Sequence, residues 1–465
     1  MEKKEKGTFT SSLGFILAAA GSAVGLGNIW RFPYLAAKDG GGLFLVVYLV
    51  FALTFGFTLL ISEIAIGRKT KESPLTAYKK LNGKWGFLGI FSFVVPFIIY
   101  PYYCVIGGWV VKYLSSYFVF EGHIAAGEGF FTGFITDQWQ PILYCAIFAV
   151  LCFVIVYKGV ENGIEKYSKV LMPTLVILIL FIVVYSLFLS YTDPETGVTR
   201  TAGEGVAVYL IPSFKGVTFG GFLKICLDAM GQLFYSLSIA MGIMIAYGSY
   251  MKDGENLGGA VNKIEIFDTG IAFLAGLVII PATYVFQGLD GMKAGPSLMF
   301  VALPKVFESL GGFGVFFGFI FFIMVLFAAL TSAVSILEAI VSSGMDKFGW
   351  SRKKATLIMA AAGFVLSIVT CLGYNVFYFE STFAPIAGGQ ILDVFDWASN
   401  NFLMPIVGLL TCILIGWVLK PKTIIDEITK NGEGFGRKGL YVVMVRYVAP
   451  VLLLILLLSS FNIFK

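Results

Sequence analysis

Along the chain of 465 residues, apolar stretches of roughly 20 residues alternate with short polar intervals. They fall at 13–36, 43–66, 88–118, 141–157, 170–190, 222–251, 265–287, 313–343, 355–373, 397–419 and 441–463. A helix of such length crosses a hydrocarbon layer roughly 30 Å thick. The pattern therefore predicts an all-α membrane protein with about 11 transmembrane helices. Two spans do not read as continuous helices: Gly21-Ser22-Ala23-Val24-Gly25-Leu26-Gly27-Asn28 interrupts the first and Ser236-Leu237-Ser238-Ile239-Ala240-Met241-Gly242 the sixth. In hydrocarbon, exposed backbone groups cost several kcal/mol each. Such segments are either tight helix crossings, where small residues let backbones approach, or unwound stretches lining an enclosed site. Their separation by five spans favours the second. It predicts a 5+5 inverted repeat, with helices 1–5 in 13–190, helices 6–10 in 222–419, and helix 11 at 441–463. A cytoplasmic tail, 1–12, precedes them, and 1–465 forms a single transporter domain.

Composition agrees: 58% of residues are hydrophobic and 13% charged, about half the charge of a soluble domain. The net charge of +5 is sorted by loop and forms no nucleic-acid patch. With the N-terminus cytoplasmic, 24 of the 33 Lys and Arg fall on the cytoplasmic side. Loop 121–137, which has no Lys or Arg, then lies outside, as does Lys465. The expected location is the inner or plasma membrane, with many passes and no cleaved signal peptide. Six cysteines sit in apolar stretches without metal-like spacing, and the single histidine, His123, lies in an outer loop. No nucleophile–base pair or metal motif points to an enzyme.

Unwound helices supply N-terminal amides for a negative group and free carbonyls for a cation. Those features suit a zwitterionic amino acid with a co-transported hard cation. Side-chain oxygens for a cation cage are available at Asn28, Ser236, Asp268, Thr331 and Ser332.

The run AGSAVGLGNIWRFPYLAAKDGGG at 20–42 closely resembles the first-helix signature of the neurotransmitter:sodium symporter family, in its prokaryotic amino-acid transporter branch. Further matches are Tyr102-Tyr103 with Trp109, the run Gly231 to Ser238, Asp268-Thr269, and Ala328 to Ser332, so the resemblance spans essentially the whole chain. It implies two sodium ions. The first site would comprise Ala23, Asn28, Ser236 and Asp268, completed by the substrate carboxylate. The second would comprise the carbonyls of Gly21, Val24 and Ala328 and the hydroxyls of Thr331 and Ser332. The substrate carboxylate would meet the amides of Leu26 and Gly27 and the hydroxyl of Tyr103. Ser22, Ile99, Phe234, Tyr235, Ser236, Ser238, Met241, Ser332 and Ile336 complete the substrate-binding set. Gly25 stands where monoamine carriers place an aspartate, and Ala240 where relatives often have glycine.

Asp268 takes the place of a neutral residue in the chloride-dependent eukaryotic members, which implies transport without chloride. Without the resemblance, a solvated charge at the end of span 7 is the competing reading. The resemblance also implies an outer gate of Arg31 and Asp396 with Tyr103 and Phe234 as aromatic lid, and an inner gate of Lys6 and Asp346. Lysine here replaces the usual arginine, and Phe9 the usual tryptophan. Gly163 and Pro173 match a motif for unwinding helix 5, and fit an ordinary helix start and proline kink equally well.

The expected function is sodium-coupled import of a neutral, apolar amino acid by alternating access. A sodium-linked amino-acid sensor without net transport would present the same site. The expected partners are the amino acid and the lipid bilayer, in a monomer or homodimer.

Overall fold

The computed structural model describes residues 7–193, 197–214, 216–291, 298–461 and 463. Among them, nine helices are long and apolar enough to cross a membrane: α2 (Gly42–Thr70), α3 (Gly83–Phe118), α4 (Gln140–Tyr157), α5 (Val160–Ser186), α7 (Leu257–Gly288), α8 (Gly312–Phe348), α9 (Arg352–Leu372), α10 (Ile391–Val418) and α11 (Lys438–Ser459). A tenth span consists of α1a (Ser12–Ala23) and α1b (Gly27–Lys38), bent by 53° at their junction. The eleventh is α6a (Phe219–Ser236) followed by α6b (Ile243–Tyr250). Helices 1 and 6 are thus the broken ones, at the Gly- and Ser-rich runs of the sequence.

Several helices outrun their apolar stretches. The α7 helix begins eight residues before position 265, and α5 ten before position 170. The added residues of α5 are polar and find partners, Glu165 pairing with Lys169 at 2.6 Å; at the start of the predicted stretch in α7, Glu265 pairs with Arg437 at 3.2 Å. The hydrophilic interval 191–206 is partly ordered, as an antiparallel pair of strands (Ser190–Thr192 and Thr199–Thr201) leading into a short helix (Ala202–Leu210).

A buried ion pair fixes the end of α2. Arg68 is 1% exposed, and its Nε donates to Glu427 Oε1 at 2.7 Å. Its Nη1 donates to the Glu255 carbonyl at 2.8 Å, and Nη2 to the Glu427 carbonyl. Removing one member of such a pair leaves an uncompensated buried charge. Arg68→Ala is expected to destabilise the fold by about 3–5 kcal/mol. Thermal unfolding in detergent would show it as a large drop in Tm, and an unchanged Tm would contradict it.

Candidate functional site

Helix α1a stops because Val24 leaves helical geometry, at ψ 95°, while its N–H still bonds the Ala20 carbonyl at 2.7 Å. A π-helical turn, Gly27–Arg31, then restarts the span and turns Asn28 inward. In span 6, Ser238 (φ 53°) and Ala240 (φ 62°) take left-handed conformations unusual for side-chain-bearing residues. The surrounding structure holds them: Glu63 of α2, 2% exposed, accepts the Ala240 N–H at 2.7 Å. The two breaks also bond each other directly. Ser22 Oγ lies 3.1 Å from Ser238 Oγ, and Ser238 donates to the Ser22 carbonyl at 3.0 Å.

Three side chains expected at the first cation site meet in the buried centre. Asn28 Nδ2 donates to Asp268 Oδ1 at 2.7 Å and to Ser236 Oγ at 3.0 Å, and Ser236 Oγ donates to Asp268 Oδ1 at 2.6 Å. Asp268 is fully buried, eleven residues into α7, so it is not a solvated charge at a helix end. Among the described residues, no Lys or Arg forms an ion pair with it. A buried carboxylate without a counter-charge costs several kcal/mol. Asn28 turns its Nδ2 to the carboxylate while its Oδ1 accepts the Gly25 N–H at 3.1 Å. The carboxylate and hydroxyl oxygens gathered here are of the kind that suit a hard monovalent cation. Tyr48, not singled out by sequence reasoning, places its hydroxyl 3.4 Å from both Ser236 Oγ and Asp268 Oδ2. A lone tyrosine in the apolar run of α2 carried no signal.

The second set also converges, at the α1a break against α8. Ser332 Oγ lies 3.3 Å from the Gly21 carbonyl, 3.0 Å from that of Ser22 and 3.4 Å from that of Val24. Thr331 Oγ1 bonds the Ala328 carbonyl at 3.1 Å. Ser332 thus gathers three carbonyls of the α1a break, while Thr331 bonds back within α8, beside Gly21, whose added Cβ would lie 3.2 Å from Thr331 Cβ.

Between the two sets lies a narrow, nearly closed cavity lined by Ser22, Ala23, Gly25, Gly27, Ile99, Tyr103, Tyr235, Ser238, Met241, Ser332 and Ile336. The Tyr103 hydroxyl lies 3.3 Å from the Leu26 amide nitrogen. The glycines here are places of close approach. A Cβ on Gly25 would sit 2.6 Å from Ser332 Oγ and 2.8 Å from Tyr103 Oη, and one on Gly27 would sit 2.4 Å from the Tyr235 ring. No aspartate fits at Gly25 without displacing both neighbours.

Above it, a second and roomier cavity is lined by Arg31, Asp228, Phe234, Tyr235, Trp397 and Asn400, among others. Tyr235 lines both cavities, and Arg31 lies over its ring at 5.7 Å. Phe234 reaches only the upper cavity and lies tilted against Phe55 with centroids 5.5 Å apart. The partition is therefore Tyr235, in place of the expected Phe234. The expected outer pair is also apart: Asp396 accepts from Asn400 Nδ2 at 2.6 Å, and Arg31 makes no ion pair with it.

The opposite side is closed. Phe9 is fully buried against Phe15, Tyr247 and Tyr250, and its N–H bonds the Tyr250 carbonyl at 3.3 Å. Glu165 of α5 accepts from Thr10 N at 2.7 Å, Thr10 Oγ1 at 2.5 Å and Ser11 Oγ at 3.0 Å. Arg352 reaches Glu338 at 2.7 Å, and Tyr250 donates to the same carboxylate at 2.5 Å. Glu165 and Glu338 were missed in the sequence; an acid inside a span is the signal that marks Glu338, whereas Glu165 falls in the polar interval before position 170 and carried none. Asp346 accepts the Ser73 N–H at 2.6 Å, while Lys6, its expected partner, lies outside the described residues. Helix α5 is continuous through Pro173, and Gly163 sits in its first, π-helical turn, where a Cβ would meet the Ile155 carbonyl at 2.0 Å.

Two helices broken at mid-span, joined at their breaks around a small cavity, with inward-facing oxygens, define a secondary transporter embedded in the membrane. The chain belongs to the sodium:neurotransmitter symporter family, whose model matches residues 6–125 and 134–465. YhdH of Bacillus subtilis, an uncharacterized sodium-dependent transporter, is 33% identical over 473 residues, covering 100% of this chain and 99% of its own. The human sodium- and chloride-dependent GABA transporter 2 is 26% identical over 485 residues, covering 92% and 76%. The crystal structure of MhsT in complex with L-phenylalanine superposes with a TM-score of 0.85 at 34% identity, over 98% of this chain and 100% of that one.

Proposed function

We propose that this transporter carries a neutral amino acid with an apolar side chain into the cell together with two sodium ions, without chloride, by alternating access. The observation that carries the reading is the Asn28–Ser236–Asp268 cluster, a buried carboxylate bonded by neutral groups and, among the described residues, paired with no cationic side chain. Sodium beside it, and an amino-acid carboxylate completing the cage, would each lower the cost of burying the other, which is the physical basis of coupling. The GABA transporter's name includes chloride; here the fixed charge of Asp268 takes the anion's part. The Thr331–Ser332 set would hold the second ion.

The substrate would place its carboxylate by the Leu26 and Gly27 amides and the Tyr103 hydroxyl, and its side chain toward Ile99, Met241 and Ile336. The phenylalanine complex of MhsT supports a pocket of this kind. Arg31 and Asp396 would draw together above Tyr235 as the outer side closes. Release inward would free the Phe9–Glu165 contacts and unwind α5 between Gly163 and Pro173. Residues 13–190 and 222–419 act as the two repeats, and the Lys-rich loops place the N-terminus in the cytoplasm and the C-terminus outside.

Thermal-shift measurement with each of the twenty amino acids, in sodium against potassium, tests the central claim. Stabilisation by an apolar amino acid in sodium alone is expected, and no response to any would refute it. Counterflow of labelled substrate in proteoliposomes separates a carrier from a sensor. Tyr103→Phe removes one hydroxyl donor, worth about 1–1.5 kcal/mol, so KM is expected to rise roughly tenfold with kcat little changed.

A further inference from the structure

On the lipid-facing side, away from the transport path, α4 and α9 leave an apolar groove floored by Tyr100 of α3. Its walls are Ala146, Val150 and Phe153 on α4 and Leu357, Ala361 and Phe364 on α9. From Ala146 to Phe153 it runs about 10 Å along the helix axis. One helical turn further along the same faces stand Tyr157, four residues after Phe153, and Lys353, four before Leu357. Lys353 Nζ lies 5.7 Å from the Tyr157 ring centroid.

Two further lysines share that end. Lys158 bonds the Tyr167 hydroxyl at 2.9 Å, and Lys354 lies over Trp350 at 5.6 Å. The turn after α4 adjoins the start of α9, since a Cβ on Gly159 would be 3.5 Å from Arg352 Cδ. All three lysines are exposed, and among the described residues none forms an ion pair, the neighbouring Glu161 included. Arg352 itself is taken by Glu338. An apolar channel opening onto unneutralised cations at the membrane boundary is complementary to a molecule with an apolar tail and an anionic head.

We propose that the α4–α9 groove is a binding site for an anionic phospholipid, one acyl chain lying between Val150 and Leu357 and the phosphate resting on Lys353 and Lys158. The site is separate from the substrate cavity and does not depend on the transport reading. Long apolar side chains at its walls face hydrocarbon in any case. The cationic mouth is what selects the headgroup.

The test uses the full chain in a neutral detergent, titrated with phosphatidylglycerol or with phosphatidylcholine of the same acyl chains, and native mass spectrometry of the retained lipid. Phosphatidylglycerol is expected to be retained at roughly tenfold lower concentration than phosphatidylcholine. The surface double variant Lys158→Gln/Lys353→Gln should remove that preference, and Ala361→Phe, which fills the groove, should reduce retention of both lipids. Equal retention of the two lipids by the parent chain would overturn the proposal, as would a preference that survives the double glutamine variant. Efficient oxidative cross-linking between copies carrying Leu357→Cys, absent from the parent chain, would also overturn it, because a second copy would then cover the groove.

Discussion

Asp268→Asn is expected to lower sodium affinity by at least about a hundredfold and to abolish uptake in chloride-free medium. The carboxylate is fully buried and bonded only by neutral groups, Asn28 and Ser236, with Tyr48 nearby. A cation seated there loses its only formal counter-charge from the protein, and losing one partner of a buried charge pair costs about 3–5 kcal/mol. Asparagine keeps an oxygen where Oδ1 stands and can still accept from Ser236, so the helix contacts survive and the variant should fold. Radiosodium-driven uptake in proteoliposomes, with and without chloride, reads the effect. Partial recovery on adding chloride would agree with an anion entering beside Tyr48 in place of the carboxylate. Undiminished uptake without chloride would remove Asp268 from the coupling site.

Glu63→Ala is expected to abolish transport by a different route. Glu63 holds the break in span 6 through the Ala240 N–H, at a residue whose φ of 62° an alanine adopts only under constraint. Truncation orphans a buried donor, at about 1–3 kcal/mol, and releases that strained backbone. Both a lower Tm and loss of sodium-dependent substrate binding should follow. Glu63→Gln retains an acceptor and should restore the Tm. If the alanine variant bound substrate normally, the break would not need its clasp from α2.

What could be read from the sequence follows from what each signal measures. The apolar stretches report burial in hydrocarbon, so the spans and the two interruptions emerged directly, and Asn28, Ser236 and Asp268 do meet. Helix ends were less legible: the first turns of α5 are polar, α7 opens on small residues, and acids near both starts are satisfied by partners distant in sequence, such as Thr10 for Glu165 and Arg437 for Glu265. The choice between Phe234 and Tyr235 turned on a single residue, and one step on a helix rotates a side chain by about 100°. Two adjacent aromatic rings in one stretch give no hint of which faces the cavity. Arg31 and Asp396 form no ion pair here, and a linear pattern holds no information on the distance between two spans. The closure around Phe9 and Glu165 joins residues some 155 positions apart, with no sequence signal to suggest it.

That closure has a bearing on wasted ions. Glu165 receives the backbone N–H and hydroxyl of Thr10, the hydroxyl of Ser11 and the ammonium of Lys169 on one carboxylate. Most of these contacts must be given up together before the first half-helix can swing away, so partial opening gains little. On the proposed function, a carrier fastened in this way would pass sodium inward in discrete, rare events. The strength of one carboxylate's grip on the N-terminal segment would then set how fast the gradient drains when no amino acid is present.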